Sequence, residues 1–240
     1  MNAEAIANWI KQRTVEAKAK GIVVGLSGGV DSAVVLALSV RALGRGVLGV
    51  LMPCETNPGD MDDAKAHAQQ LGVETEEVVL DNVYHEFLSV LPANRTDLAL
   101  ANLKPRLRMT TLYFCAASRN YLVAGTGNRT EIAVGYYTKY GDGGVDILPI
   151  GGLLKREVRA LAVELKVPRP IIEKAPSAGL WPGQTDEGEI GMSYDTLDEI
   201  VDALQSGRKP KAEAEQVARV QALMRASEHK RSLPPICPAK

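Results

Sequence analysis

Cysteine is sparse in this 240-residue sequence: Cys54, Cys115 and Cys237 stand far apart, and none belongs to a Cys-x-x-Cys pair. That spacing argues against a disulfide framework and a zinc site, and a reducing cytoplasm is the expected compartment. Neither sign of charge is in surplus, with 28 Lys and Arg against 29 Asp and Glu and a formal net charge of −1. Bulk nucleic-acid binding, which shows as a basic face or a high pI, gains no support; a local basic pocket for phosphates stays compatible with the count. Long apolar runs are missing too, since none approaches the roughly 20 residues that cross a bilayer. Met1 to Lys20 is polar and amphipathic, without the apolar core of a signal peptide. The expectation is a soluble chain with neither membrane nor nucleic acid among its partners. What is present is apolar side chain, 45% of the residues, enough to build a sizeable core in one large domain or a domain with a helical extension.

Strand and helix signals alternate. Ala3 to Ala19 carries Ala3, Ile6, Ile10, Val15 and Ala19 at roughly helical spacing and predicts an opening helix. Gly21 to Leu26 reads as a short buried strand, and Ser32 to Leu43 as a helix apolar on nearly every face, ended by Gly44. Val47 to Met52 and Val78 to Leu80 follow as strands, with a helix over Asp62 to Leu71 between them. Asp97 to Arg119 reads as helix with Pro105 as a boundary or kink. Tyr121 to Ala124 and Asp146 to Leu148 complete five strands, and Leu153 to Lys166 is a further helix ended by Pro168. The alternation predicts an α/β fold: a Rossmann-like parallel five-stranded sheet with helices on both faces. Ala175 to Gly191, rich in Pro, Gly, Gln and acidic residues, reads as a long surface loop, and long loops are often functional. Two helices, about Tyr194 to Gln205 and Lys211 to Glu228, form a C-terminal extension. One domain is expected, with a core over roughly 20–170 and a substrate loop plus closing helices over roughly 171–240.

The strongest single feature is Ser27-Gly28-Gly29-Val30-Asp31-Ser32, set between an apolar strand and an apolar helix. Glycines there let the backbone approach a bound group, and the free amides of the following helix offer an anion site. Asp31 would repel a bare phosphate, so a bridging cation such as magnesium is implied. A turn with an ordinary helix cap is the competing reading. No Gly-Lys-Ser/Thr follows and no Gly-x-Gly-x-x-Gly is present, which argues against a P-loop ATPase and a conventional dehydrogenase.

The hexapeptide resembles the pyrophosphate loop of the ATP pyrophosphatase superfamily, whose members split ATP to AMP and pyrophosphate while adenylating a substrate oxygen. Further along come Gly125-Thr-Gly-Asn-Arg-Thr-Glu131, Gly135-Tyr-Tyr-Thr-Lys-Tyr-Gly-Asp-Gly143, Asp146-Ile-Leu-Pro-Ile150, Leu154-Lys155, Pro176-Ser-Ala-Gly-Leu-Trp181 and Gly183-Gln-Thr-Asp-Glu187. In this order and spacing, from about Gly21 to His229-Lys230, the series is similar to the ammonia-dependent NAD synthetase family. The resemblance implies an adenine nucleotide alpha hydrolase-like fold and an ATP-dependent amidation of deamido-NAD by ammonia, through an adenylated carboxylate, giving NAD, AMP and pyrophosphate.

It also implies roles for particular residues. Gly25, Leu26, Ser27, Gly28, Gly29, Val30, Asp31, Ser32, Thr126, Lys155 and Ser177 correspond to ATP contacts, and Asp31 with Glu131 to ligands of Mg2+. Glu131 is alternatively a first-turn acid favoured by the helix dipole, and Ser177 an ordinary loop serine. Arg106, Lys139, Asp146, His229 and Lys230 match contacts to deamido-NAD; solvated helix faces compete as readings for Arg106 and for His229-Lys230. Lys155 would balance charge as pyrophosphate leaves, and Asp142 is the candidate for taking a proton from ammonium.

Relatives pair as homodimers through helices equivalent to Glu86 to Arg119, a stretch whose apolar content fits a dimer or a core helix. Met52 to Ala64 departs from the family pattern, with Cys54 after the proline, which puts the adenine contacts in question. No glutaminase domain is attached, so direct use of ammonium is expected. Two rivals remain. An adenylating enzyme acting on tRNA or on another carboxylate would be expected to carry a basic extension or a cysteine near the second glycine loop. A non-catalytic nucleotide sensor would not need Asp31, Glu131 and Lys155 together.

Overall fold

The computed structural model describes residues 2–93, 96–181 and 183–238. Asn94 and Arg95, inside the expected pairing stretch, and Pro182, inside the expected long loop, lie outside the described residues. Helix α1 (Ala3–Glu16) leads into β1 (Gly21–Leu26), α2 (Val30–Leu43), β2 (Val47–Leu51), α3 (Pro58–Gln70), β3 (Glu74–Glu77) and α4 (Asp81–Val90). Then come α5 (Asp97–Ala101), α6 (Leu103–Arg119), β4 (Tyr121–Ala124), α7 (Arg129–Val134), α8 (Lys155–Glu164), α9 (Arg169–Glu173), α10 (Asp186–Ile190), α11 (Tyr194–Gln205), α12 (Ala214–Ala226) and α13 (Glu228–Arg231).

The sheet has four parallel strands in the order β3-β2-β1-β4, not five. Val123 explains the missing strand. Its N–H is taken at 2.8 Å by the Asp146 carboxylate, and Pro149 has no N–H to offer. Only an isolated Ala124–Ile147 bridge forms. The third strand is Glu74–Glu77 and not Val78 to Leu80. It is a mostly exposed edge strand without an apolar signature, and the chain leaves the ladder just as its apolar residues begin. Helix α4 went unassigned in the sequence. Asn102 divides the helix expected over Asp97 to Arg119, and Pro105 falls in the first turn of α6, where a missing N–H removes no bond. The stretch 175–191 is not surface loop throughout, because it contains α10 and buries Gln184 and Asp186.

Alternate strand side chains feed opposite cores. Ile22, Val24 and Leu26 meet α1, α2, α3 and α8 on one face, while Val23, Leu48 and Val50 meet α4 and α6 on the other. Helix α2 is covered on nearly every side. A third cluster joins α7, α11 and α12 around Tyr194, Leu197 and Val220. In the strand order the direction of winding reverses between β1 and β4, so a ligand crevice is expected beyond the C-terminal ends of those two strands. Leu38 is fully buried in α2, and Leu38→Ala should lower stability by about 2–5 kcal/mol. Chemical denaturation checks this.

Candidate active site

Two loops face the crevice at the switch point. After β1, Ser27 to Gly29 turns into α2, whose N-cap Gly29 supplies no side-chain hydrogen bond and leaves the first-turn amides without that partner. The loop is held by its own hydroxyls: Ser32 Oγ donates to the Gly29 carbonyl at 2.9 Å and lies 3.1 Å from Ser27 Oγ. Gly28 has φ +76°, and a Cβ on it would fall 2.2 Å from the Asp60 carbonyl oxygen of α3. Any other residue would displace that backbone. Gly25 and Leu26 end β1, with Leu26 turned into the core.

After β4, Gly125 to Asn128 leads into α7 and carries half-buried Thr126. Asn128 caps α7 reciprocally with Glu131: the Asn128 side chain accepts from the Glu131 N–H at 3.0 Å, and Glu131 Oε2 accepts from the Asn128 N–H at 3.3 Å. The Asn128 amide also donates to Asp31 Oδ1 at 2.9 Å, tying the two loops together.

Lys155, the first residue of α8, fills the centre. Its ammonium lies 2.5 Å from Asp31 Oδ2, 3.1 Å from Glu131 Oε1 and 4.9 Å from the centre of the Tyr194 ring, with only 2% of the side chain exposed. A cation at a helix start opposes the helix dipole, and buried Asp198 of α11 resolves the conflict. Its carboxylate accepts from the backbone N–H of Lys155 at 3.3 Å and of Arg156 at 2.8 Å, and from the Thr130 hydroxyl at 2.5 Å.

Burial draws the Lys155 pKa down, but the charges of Glu131 and Asp31 outweigh it and the net shift is upward. Burial likewise pushes Glu131 up to about 7, with Lys155 opposing and Asp31 adding to the rise. The ammonium therefore stays charged between the two carboxylates. Tyr194 donates to Glu131 Oε1 at 3.3 Å and to Asp186 Oδ2 at 2.9 Å, and burial raises the Asp186 pKa. The described residues contain no group of three or more metal-binding side chains. A divalent ion would therefore take Asp31 and Glu131 from the protein and its remaining ligands from phosphate or water, a hard-oxygen set that suits magnesium. The Lys155 ammonium between those same oxygens marks the position as one that favours positive charge.

A second group forms around the loop after α7. Lys230 donates to the carbonyls of Gly135 and Tyr137, both at 2.7 Å, and Lys139 donates to the carbonyl of His229. Arg106 of α6 reaches the Lys139 carbonyl at 3.4 Å, and the Asp142 carboxylate accepts from the Thr138 N–H at 2.9 Å. Asp142 is an exposed residue, yet protein atoms crowd its carboxylate, and that desolvation raises its pKa against the Thr138 N–H and the charges of Lys230 and Arg108. Arg106, Lys139, Asp142, His229 and Lys230 thus come together. Asp146 does not join them: its oxygens accept from Val123 N–H and, at 3.0 Å, from the Tyr113 hydroxyl. Ser177 is exposed and accepts from the Gly179 N–H at 3.1 Å, so its hydroxyl closes a local turn.

Sequence reasoning missed Asn128, Tyr194, Asp186 and Asp198. The Asn-x-x-Glu spacing of Asn128 and Glu131 is a legible capping box, whereas Tyr194 and Asp198 lie on a distant helix with no motif of their own. Asp198→Ala should lower stability by about 1.5–3 kcal/mol, because buried donors lose a charged acceptor, and Asp198→Asn should lower it less. Denaturant titration of both variants checks this.

The NAD synthase family model matches residues 2–234. The NH(3)-dependent NAD(+) synthetase of Carboxydothermus hydrogenoformans is 52% identical over 237 residues, covering 97% of this chain and 95% of that one. Among solved structures, the NMN synthetase of Francisella tularensis superposes with a TM-score of 0.91 at 36% identity, covering 98% of this chain and 96% of that one. The NH3-dependent NAD synthetase of Campylobacter jejuni gives 0.87 at 31%, covering 98% and 97%. With two glycine loops meeting over a carboxylate–lysine–carboxylate centre and likeness along nearly its whole length, the chain belongs to the NAD synthase family.

Proposed function

We propose that this chain amidates deamido-NAD with ammonia and ATP, yielding NAD, AMP and pyrophosphate, and that the two side-chain groups divide the work. The observation that carries the reading is Lys155 held between Asp31 and Glu131 where the two glycine loops meet. Gly25 to Ser32 would bind the triphosphate through backbone amides and hydroxyls, with Thr126 and Ser177 adding hydroxyl contacts. Asp31 and Glu131 would hold Mg2+, which when bound neutralises charge on the phosphates. Lys155 stabilises the negative charge that builds on the departing pyrophosphate. Arg106, Lys139, His229 and Lys230 offer cationic or hydrogen-bonding anchors for a dinucleotide with its own pyrophosphate, and Asp146 is assigned to the same ligand on the family resemblance.

The chemistry has two displacements. A nicotinate carboxylate oxygen attacks the α-phosphorus, and the bond to the bridging oxygen of pyrophosphate breaks. Ammonia nitrogen then bonds to the acyl carbon, and AMP leaves with the electrons of the C–O bond. Positioning and charge stabilisation supply the catalysis, and no side-chain nucleophile is needed. Asp142, whose desolvated carboxylate has a raised proton affinity, is assigned to take the proton from ammonium. All three cysteines are free, which fits a reaction in the reducing cytoplasm.

The direct assay supplies deamido-NAD, ATP, magnesium and ammonium and follows NAD and AMP, with the mononucleotide run beside it because one structural neighbour is an NMN synthetase. NAD and AMP should form from deamido-NAD in equal amounts. ADP as product, or no NAD, would overturn the reading. Asp142→Asn should reduce turnover far more than ATP affinity, and an unchanged rate would remove Asp142 from the mechanism.

The homodimer is proposed on α4 to α6. Val83, Phe87 and Val90 of α4, Leu98 of α5 and Phe114 of α6 are all exposed, and an apolar groove lies between Phe87 and Leu107. Residues of that kind on a surface mark a protein contact, and relatives pair through this stretch. No helix among the described residues is long and apolar enough to cross a membrane. Sedimentation should give a dimer, and Phe87→Glu should give a monomer; a wild-type monomer at assay concentration would refute the pairing.

A further inference from the structure

The phosphate loop has a second neighbour that the reaction as described does not use. Lys174 ends α9 and opens the stretch 175–191. Its ammonium lies 2.7 Å from Asp60 Oδ1, 2.6 Å from Asp63 Oδ2 and 3.5 Å from the Gly28 carbonyl oxygen. Asp60 and Asp63 stand in the first two turns of α3, and the Asp60 backbone is the one packed against Gly28. All three side chains are about one-third exposed, so they sit where solvent screens them only in part.

The electrostatic consequence is specific. A loop that accepts a polyanion already contains Asp31, and Lys155 answers that charge. Two more carboxylates beside Gly28 would make the surroundings hostile to phosphate unless a further cation answers them. Lys174 does so with one ammonium on both, while its contact with the Gly28 carbonyl fastens the loop. Burial lowers its proton affinity, but Asp60 and Asp63 more than restore it, so the ammonium stays charged.

We propose that Lys174 is a positioning residue of the phosphate loop, offsetting part of the negative charge of Asp60 and Asp63 beside Gly28 so that the loop accepts pyrophosphate. This rests on the reading of Gly25 to Ser32 as the phosphate site. The test is calorimetric binding of inorganic pyrophosphate with magnesium to the full chain. Lys174→Met should weaken binding about tenfold, since the anion then meets two uncompensated carboxylates, and the deficit should shrink as salt is added. Lys174→Arg should keep binding near that of the unaltered chain. The triple variant K174M/D60N/D63N should recover most of the loss, a rescue that a purely structural lysine would not give. Should Lys174→Met fail to fold, D60N/D63N decides: freed of its partners, Lys174 should tighten pyrophosphate binding about threefold. Equal binding by Lys174→Met, a triple variant as weak as the single one, or no change in D60N/D63N would each overturn the inference. If the unaltered chain binds no pyrophosphate, the phosphate-loop reading itself falls and takes this inference with it.

Discussion

A buried ammonium between two carboxylates governs this structure. Lys155 reaches Asp31 in the first turn of α2 and Glu131 in the helix after β4, so one side chain spans the reversal of the sheet. Such a triad is a poor device for stability alone, because desolvating three charges cancels much of their attraction. Its value is positional. It fixes two segments that come from distant parts of the sequence, the first turn of α2 and the first turn of α7. Asn128, Thr130, Tyr194 and Asp198 each bond one member of this centre.

The parts legible in the sequence were those whose local chemistry is self-contained. Ser27 to Ser32 announces itself through glycines and hydroxyls between a buried strand and an apolar helix, and the helix expected over about Tyr194 to Gln205 coincides with α11, which Ser193 caps. What escaped was set by partners remote in sequence. β3 is written in glutamates and threonine, and only pairing with β2 makes it a strand. The fifth strand failed because Asp146 uses its side chain where a ladder would use backbone. Lys230, expected as a ligand contact, also donates to the Gly135 and Tyr137 carbonyls, and nothing local in the tail foretells those partners.

The stretch from Lys174 to Gly191 is fastened at more than one point. Lys174 holds its beginning to α3, and the buried ammonium of Lys104 donates to the Leu180 carbonyl at 3.0 Å while pairing with Glu55 at 2.7 Å. Glu55 belongs to the segment after β2 in which Cys54 departs from the family pattern, and Arg108 donates there to the Met52 carbonyl and to Thr56. The segment after β2 and the stretch that follows α9 therefore share a charged fastening through Lys104.

Helix α7 is only six residues long, and the two chemical groups sit at its opposite ends. Glu131 meets Lys155 from its first turn, while Lys230 and Arg231 grip the carbonyls around Gly135 at its close. At about 1.5 Å of rise per residue the helix spans roughly 9 Å. It fixes the spacing between the Glu131 carboxylate at its start and the carbonyls around Gly135 at its close. Adding or removing a single residue would slide one end along the axis and swing it by about 100°, leaving both halves intact but out of register with each other.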